Sequence, residues 1–296
     1  MNQVPQPPTS DEWTVQRVLD FSIGYLQEHG SDSPRLDAEI LLAHSCGWQR
    51  IQLYTNYSQP LTQDQRGRMR DFIQRRAKAE PVAYLVGYRE FFALDFAVNS
   101  SVLIPRPDTE TLVREAIEVA KSLESPSVLD IGTGSGCISI SVAVNCPNAN
   151  LTAVDISTDA LGVATANAEK HNVTDRLRLL KSDVFENVPA ERFELIVSNP
   201  PYIREDELAT LMPDVREHEP VGALVGGGDG LDIVRRIVAE APAFLATDGH
   251  LMIEVDGRQA EPVAQLLRES GYREVGIEKD LSGIQRVVKG VAPKAG

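Results

Sequence analysis

Hydrophobic positions change their spacing partway along the chain, which predicts where the architecture changes. Val15, Val18, Leu19, Ile23 and Leu26 recur at about 3.6-residue spacing, and Met69, Phe72, Ile73 and Ala77 repeat the pattern, so the first part reads as amphipathic helices. Ser33-Pro34 is a cap-then-proline start for a helix carrying Leu36, Ile40 and Ala43. A small helical bundle is predicted to end near Pro81. Beyond it the texture turns β-rich. Phe91-Phe92 to Val98 and Val102-Leu103-Ile104, separated by Asn99-Ser100, predict a hairpin joining the halves, and a helix is expected from about Asp108.

Strands are then expected near residues 127–131, 150–155, 176–181, 193–198, 249–255, 272–278 and 284–289, interleaved with helical stretches through residue 270. Strands alternating with helices predict an α/β architecture with a parallel, doubly wound sheet of seven strands. Only Lys279 to Gly283 joins the last two strands, too short a connection for a parallel crossover, so the final strand is expected to run antiparallel. The implied division is a helical domain at 1–87, a β-hairpin linker at 88–107 and an α/β domain at 108–296. Low complexity is confined to the Pro-rich first eight residues and the tail at 291–296.

Composition narrows the function classes. With 42% hydrophobic and 24% charged residues, the 296-residue chain has the make-up of an ordinary globular protein of one or two domains. Its apolar stretches are strand-sized, far short of the ~20 residues of a spanning helix, and a membrane protein is excluded. No Lys or Arg precedes Arg17 and the N-terminus has no apolar h-region, so no secretory signal is expected and the location is read as cytoplasmic. Cys46, Cys137 and Cys146 are widely spaced, and the five His are scattered without ligand spacing, so no catalytic metal is expected.

A net charge of −14 argues against broad nucleic-acid binding. The charge is uneven, with nine basic and ten acidic residues through Gly87 and 20 basic and 33 acidic after it. Arg66, Arg68, Arg70, Arg75, Arg76 and Lys78 form a basic run, expected as the solvated face of a helix; contact with RNA or an acidic partner is the alternative.

Candidate chemistry begins where Ser127 to Ile131 leads into Gly132-Thr133-Gly134-Ser135-Gly136 and then an apolar helix from Cys137. Glycines there let the backbone turn tightly and approach a ligand at a helix N-terminus. Their spacing at every second position differs from the dinucleotide fingerprint. Asp130, just before the turn, can accept a bond from a cationic amino group, directly or through water, and so points to an amino-acid-bearing nucleoside. The next strand ends in Asp155, placed to hold both ribose hydroxyls. A third ends near Asp183, which can accept an adenine amine while Val184 or Phe185 covers the ring. The alternative is that Asp155 and Asp183 merely cap the turns or helices that follow.

The fourth strand runs straight into Asn199-Pro200-Pro201-Tyr202. Two prolines end the strand and leave carbonyls without ladder partners, so the Asn199 oxygen and a proline-region carbonyl can converge as acceptors for a planar NH2 group. Such a nitrogen is a poor nucleophile because its lone pair is delocalised. Paired acceptors help direct that lone pair at an electrophile, and Tyr202 would stack on or wall in the planar group. A methylsulfonium needs no separate base, consistent with the lack of a His-Asp pair or metal cluster in the motif.

These residues resemble class I S-adenosylmethionine-dependent methyltransferases, specifically the peptide chain release factor N5-glutamine methyltransferase family. The resemblance covers nearly the whole chain. It runs through Pro34-Arg35-Leu36-Asp37-Ala38-Glu39, Pro81-Val82-Ala83-Tyr84-Leu85 and Leu103-Ile104-Pro105-Arg106-Pro107-Asp108-Thr109-Glu110, then both motifs above, to Lys279-Asp280-Leu281-Ser282-Gly283. It implies a substrate, the glutamine in the Gly-Gly-Gln loop of class 1 release factors, with the N-terminal domain helping to dock that protein. It also implies that Asn199 and Pro200 bind the glutamine amide, while Gly132, Asp155 and residues 183–185 bind S-adenosyl-L-methionine.

Arg106, Thr109 and Glu110 are expected to border the same pocket, or Arg106 to pair with Glu110. Val184 departs from the Trp frequent at its position in the family, and Glu254-Val255-Asp256-Gly257 departs from the usual Glu followed closely by Gly. The tetrapeptide alone is shared with adenine and guanine amino methyltransferases, which remain the competing enzyme reading. A cofactor-binding regulator without catalysis is the other. A monomer is expected.

Overall fold

The structure is a computed structural model that describes residues 12–294; the Pro-rich start and the last two residues of the tail lie outside them. The described residues form two compact units. One runs through Gly87 and also takes in Pro213–His218, and the other comprises Tyr88–Met212 and the chain from Glu219 onward.

In the first unit, α1 (Val15–Glu28), α2 (Pro34–Cys46), α3 (Arg50–Thr55), α4 (Gln63–Arg76) and α5 (Val82–Val86) enclose a core of Val15, Leu19, Leu26, Leu41, Leu42, Leu53, Met69 and Ile73. Helix α1 starts where Thr14 accepts the Arg17 N–H, and α4 where Thr62 and Gln65 form a reciprocal capping box. Pro34 opens α2 as expected, but Ser33 makes no capping bond; Ser31 instead donates to Asp37 at 2.8 Å. Part of the basic run is turned onto the unit itself. Arg76 donates to Asp37 at 2.8 Å with both side chains 11% exposed, Arg75 donates to Glu80, and Arg68 to the Ser45 carbonyl.

The second unit opens with a hairpin, β1 (Tyr88–Phe91) and β2 (Leu94–Ala97), that differs from the expected one. Its turn is Phe92-Ala93, with φ of 50° and 58°, the left-handed pair of a primed turn. Asn99-Ser100 is not the turn, and Val102 to Ile104 forms no strand. Gly or Asn ordinarily signals such a turn, and Phe-Ala carries neither. Nor is the hairpin a joint between units. It belongs to the second, where the Asn167 side chain bonds both N–H and C=O of Ala97, at 2.7 and 3.0 Å.

After α6 (Glu110–Lys121) come β3 (Ser127–Ile131), α7 (Cys137–Asn145), β4 (Asn150–Asp155), α8 (Thr158–Lys170), β5 (Leu177–Lys181) and β6 (Phe193–Ser198). The short helix α9 (Pro213–His218) follows and counts with the first unit, where Asp214 faces Arg76 at 3.8 Å. The chain then returns with α10 (Asp232–Glu240), β7 (Leu245–Glu254), α11 (Ala260–Glu269), β8 (Arg273–Lys279) and β9 (Gln285–Val291).

The seven strands are ordered β5-β4-β3-β6-β7-β9-β8, with β9 antiparallel to both neighbours and the pairs among β3 to β7 parallel. Alternate residues serve opposite faces. Val128, Leu195, Val197 and Met252 enter the core under α6 and α7, whereas Leu129, Ile196, Leu251 and Ile253 enter the core under α10 and α11. Strand order reverses at β3, which opens a crevice at the carboxyl ends of β3 and its neighbours. Among the described residues no helix is long and apolar enough to cross a membrane.

Candidate active site

Sheet register brings four strand tips level. Ile131 pairs with Val154 and with Ser198, and Ser198 pairs with Ile253. The next residues, Asp155, Gly132, Asn199 and Glu254, therefore form one row at the carboxyl edge across β4, β3, β6 and β7.

From this row β3 runs into Gly132, Gly134 and Gly136, whose φ values are +73°, +56° and +81°. Alternate residues in the left-handed region explain why glycine stands at every second position. A Cβ on Gly136 would also meet Ile140 Cδ1 at 2.8 Å, so this glycine lets α7 close onto the loop. Fully buried Asn167 donates to the Ser135 carbonyl at 2.8 Å, tying the loop to α8. Sequence reading missed Asn167; its one signal was an amide among Val163, Ala164 and Ala168 on a buried helix face.

The acidic residues behave differently from one another. Asp130 is fully buried; its Oδ2 accepts from Thr133 at 2.7 Å and from the Ser139 N–H at 3.3 Å, while Oδ1 has no partner. Burial pushes its carboxyl up to about 6. Asp155 accepts from the N–H groups of Gly134 and Ser157, both at 2.9 Å, and it is Ser157, not Asp155, that caps α8. Asp183 accepts from Arg236 at 2.8 Å. Val184 is buried with φ 52°, and Phe185 is packed into the core, stacked on Phe244 at 4.6 Å between ring centres. Phe185 therefore presents little side-chain surface with which to cover a ligand ring. Ile156, directly after Asp155, is 64% exposed and was not singled out.

Across the row, the Asn199 amide donates to Thr109 Oγ1 at 3.3 Å, and Thr109 donates to Glu254 at 3.2 Å. Thr109 and Glu254 are buried, and Glu254 Oε2 has no partner. Burial pushes the Glu254 carboxyl up to about 7. A carboxyl raised by folding stabilises the fold below its unfolded value of 4.5, and that contribution is lost as pH rises through about 7. Glu254→Gln is therefore expected to melt roughly 5 °C above the parent near pH 8, with the difference gone near pH 5, by thermal scans at both pH values.

Tyr202 is largely buried, which pushes its phenol up to about 12, with Glu254 adding to the rise and Arg106 and Arg286 opposing it. The backbone after Asn199 is backed by residues 224–230. Ile203 and Gly226 exchange N–H bonds with the Leu224 and Ile203 carbonyls, each at 2.9 Å, and Gln259 donates to the Tyr202 carbonyl at 3.0 Å. A Cβ on Gly226 would overlap the Pro201 carbonyl oxygen, and one on Gly230 the Tyr202 oxygen. Arg106 does not pair with Glu110, which accepts the Phe92 N–H at 3.1 Å; its partner is buried Glu219, which also accepts the Ile104 N–H. Among the described residues no group of His, Cys, Asp and Glu is placed to hold a metal ion.

Comparison with known proteins bears on both units. Residues 17–87 match the PrmC N-terminal domain and residues 109–214 the methyltransferase small domain. A release factor glutamine methyltransferase of Rhodopirellula baltica is 45% identical over 93% of this chain and 95% of its own length. One of Geobacter sulfurreducens is 45% identical over 94% and 96%. Among solved structures, the hMettl16 catalytic domain in complex with MAT2A 3'UTR hairpin 6 superimposes with a TM-score of 0.57 at 17% identity, covering 71% of this chain and 79% of that one, a likeness of fold. The relatives' identity over nearly full length, on a methyltransferase sheet with its motifs at the strand tips, places the chain in the release factor glutamine methyltransferase family, S-adenosyl-L-methionine-dependent enzymes that methylate protein glutamine.

Proposed function

We propose that the enzyme methylates the side-chain N5 of the glutamine in the Gly-Gly-Gln loop of class 1 release factors. The observation that carries this reading is the row itself: an Asn-Pro-Pro-Tyr loop leaves β6 directly beside the glycine loop of β3. Acceptors for a planar amide thus stand next to the place where a cofactor would lie.

The pocket residues suit S-adenosyl-L-methionine. The buried, partnerless Asp130 Oδ1 fits an ammonium, reached directly or through one water. Asp155 is fixed by two N–H groups yet half-exposed, as a ribose acceptor needs to be. Thr133, Ser135 and the glycines line the amino-acid end, Asp183 and Val184 the adenine end, and exposed Ile156 supplies the apolar face that Phe185 does not.

Bound there, the cofactor supplies a methyl group on a positively charged sulfur. The Asn199 Oδ1 and the Pro200 carbonyl accept the two amide hydrogens of the substrate and hold its nitrogen in line. Pro201 keeps the loop extended, and Tyr202, protonated at every physiological pH, walls the amide plane. The loop would hold the substrate nitrogen toward that methyl group, whose transfer would leave a neutral thioether and release one amide proton to water. Orientation, not acid-base chemistry, carries the rate. Arg106, held by Glu219, borders the substrate side. The enzyme is read as a cytoplasmic monomer that forms no stable complex with nucleic acid.

Labelled methyl transfer to a purified class 1 release factor tests the proposal, with a version whose loop glutamine is changed and with tRNA, rRNA and DNA as parallel acceptors. Label on the unaltered factor alone is expected. Label on nucleic acid would overturn the substrate while leaving fold and family intact.

A further inference from the structure

Asn199 is useful only if its oxygen, not its nitrogen, meets the substrate. An amide is nearly symmetric in shape, so something must choose its direction. Packing distinguishes the two ends poorly; hydrogen-bond donors and acceptors distinguish them well.

Thr109 sits between two side chains, 3.3 Å from Asn199 Nδ2 and 3.2 Å from Glu254 Oε1. It has a single proton to give. We propose that Glu254, acting through Thr109, is a positioning residue that fixes the direction of the Asn199 amide. A Glu254 carboxylate only accepts, so it takes the Thr109 proton. Thr109 then has only a lone pair for Asn199, and Asn199 must turn its NH2 group inward and its Oδ1 outward. The inference deepens the reading of Asn199 as acceptor and rests on it.

Neutral Glu254 removes the constraint. Its own O–H can donate to Thr109, which is then free to donate to Asn199 Oδ1, and the amide can flip. The carboxyl lies among opposing influences: Asp108, from the turn before α6, disfavours its charge and Arg286 of β9 favours it. Burial keeps the Tyr202 phenol and the Cys137 thiol neutral, and Glu254 adds to the effect on both. Asp256 lies two residues further on and also acts on Tyr202. With the carboxyl raised to about 7, the relay is fully set only on the alkaline side of neutrality, and activity should rise with pH through that region.

The test follows kcat for release factor methylation across the neutral range in the parent, Glu254→Gln, Thr109→Val and Thr109→Ser, with cofactor affinity measured by calorimetry. Alongside, the side-chain 15N resonance of Asn199 is titrated in the absence of substrate. In the parent, kcat and the Asn199 resonance are expected to change together with a midpoint near 7. Glu254→Gln and Thr109→Val should lose that midpoint and about tenfold in kcat, with cofactor affinity unchanged, while Thr109→Ser keeps the parent profile. Parent-like kcat and midpoint in Glu254→Gln, or an Asn199 resonance indifferent to pH in the parent, would overturn the relay. A parent that labels no release factor would sink the substrate reading instead, and the resonance titration would still judge the relay.

Discussion

Replacing Asn199 with Ala is expected to leave S-adenosyl-L-methionine binding largely intact while turnover falls at least ~100-fold. The two effects separate because of position. Asn199 stands at the tip of β6, half-exposed, and its side chain donates to Thr109, off the sheet ladder, so truncation leaves the sheet and the β3 loop untouched. In the proposed mechanism, what disappears is one of two acceptors that hold the substrate nitrogen in line, a contact that strengthens as the nitrogen pyramidalises and so counts most in the transition state. Calorimetry for the cofactor and single-turnover label transfer measure the two quantities independently. Retained turnover would remove Asn199 from the acceptor role.

A methyl group on a residue outside every expected motif should be nearly as damaging. Gly226→Ala places a Cβ against two backbone oxygens, Pro201 O and Gly230 O, neither of which can rotate away. Gly226 does not have a left-handed φ, so the cost is steric and falls on the loop after Asn199. Overpacking of this kind costs about 1–3 kcal/mol, which lowers Tm by roughly 2–4 °C for each kcal/mol in a domain of this size. A shift of even ~1 Å in Pro200 or Pro201 misplaces the second acceptor, and kcat is expected to fall about 100-fold. Gly228→Ala, where a Cβ meets nothing within 4 Å, is the control and should match the parent. Parent-like turnover in Gly226→Ala would mean that the loop tolerates displacement and that its carbonyl is not a positioned acceptor.

The sheet and the three motif tips were legible because each has a local cause. The β3 and β6 strands are largely apolar runs, and the glycine loop and the Asn-Pro-Pro-Tyr loop follow directly on their endings. The hairpin was misplaced because Phe92 and Ala93 adopt left-handed φ without a residue that advertises it. What supports the site was illegible for another reason: Asn167, Glu219, Gly226 and the Thr109–Glu254 pair act across separations of up to 145 residues. No window along the chain contains both partners. Phe185 shows the converse, since its position beside Asp183 suggested a ligand contact, while its packing into the core against Phe244 is visible only in the fold.

The helix Pro213–His218 has a practical consequence for anyone recombining these proteins. It lies far from residues 17–87 in the chain, yet it belongs to the unit they form, with Asp214 facing Arg76 and His218 Nε2 lying 3.2 Å from the Lys78 carbonyl. A chimera spliced at Gly87 would therefore inherit a mismatched six-residue insert. Exchange of N-terminal units between relatives requires two cuts more, on either side of that insert, and a library built on the single boundary would be enriched for misfolded hybrids.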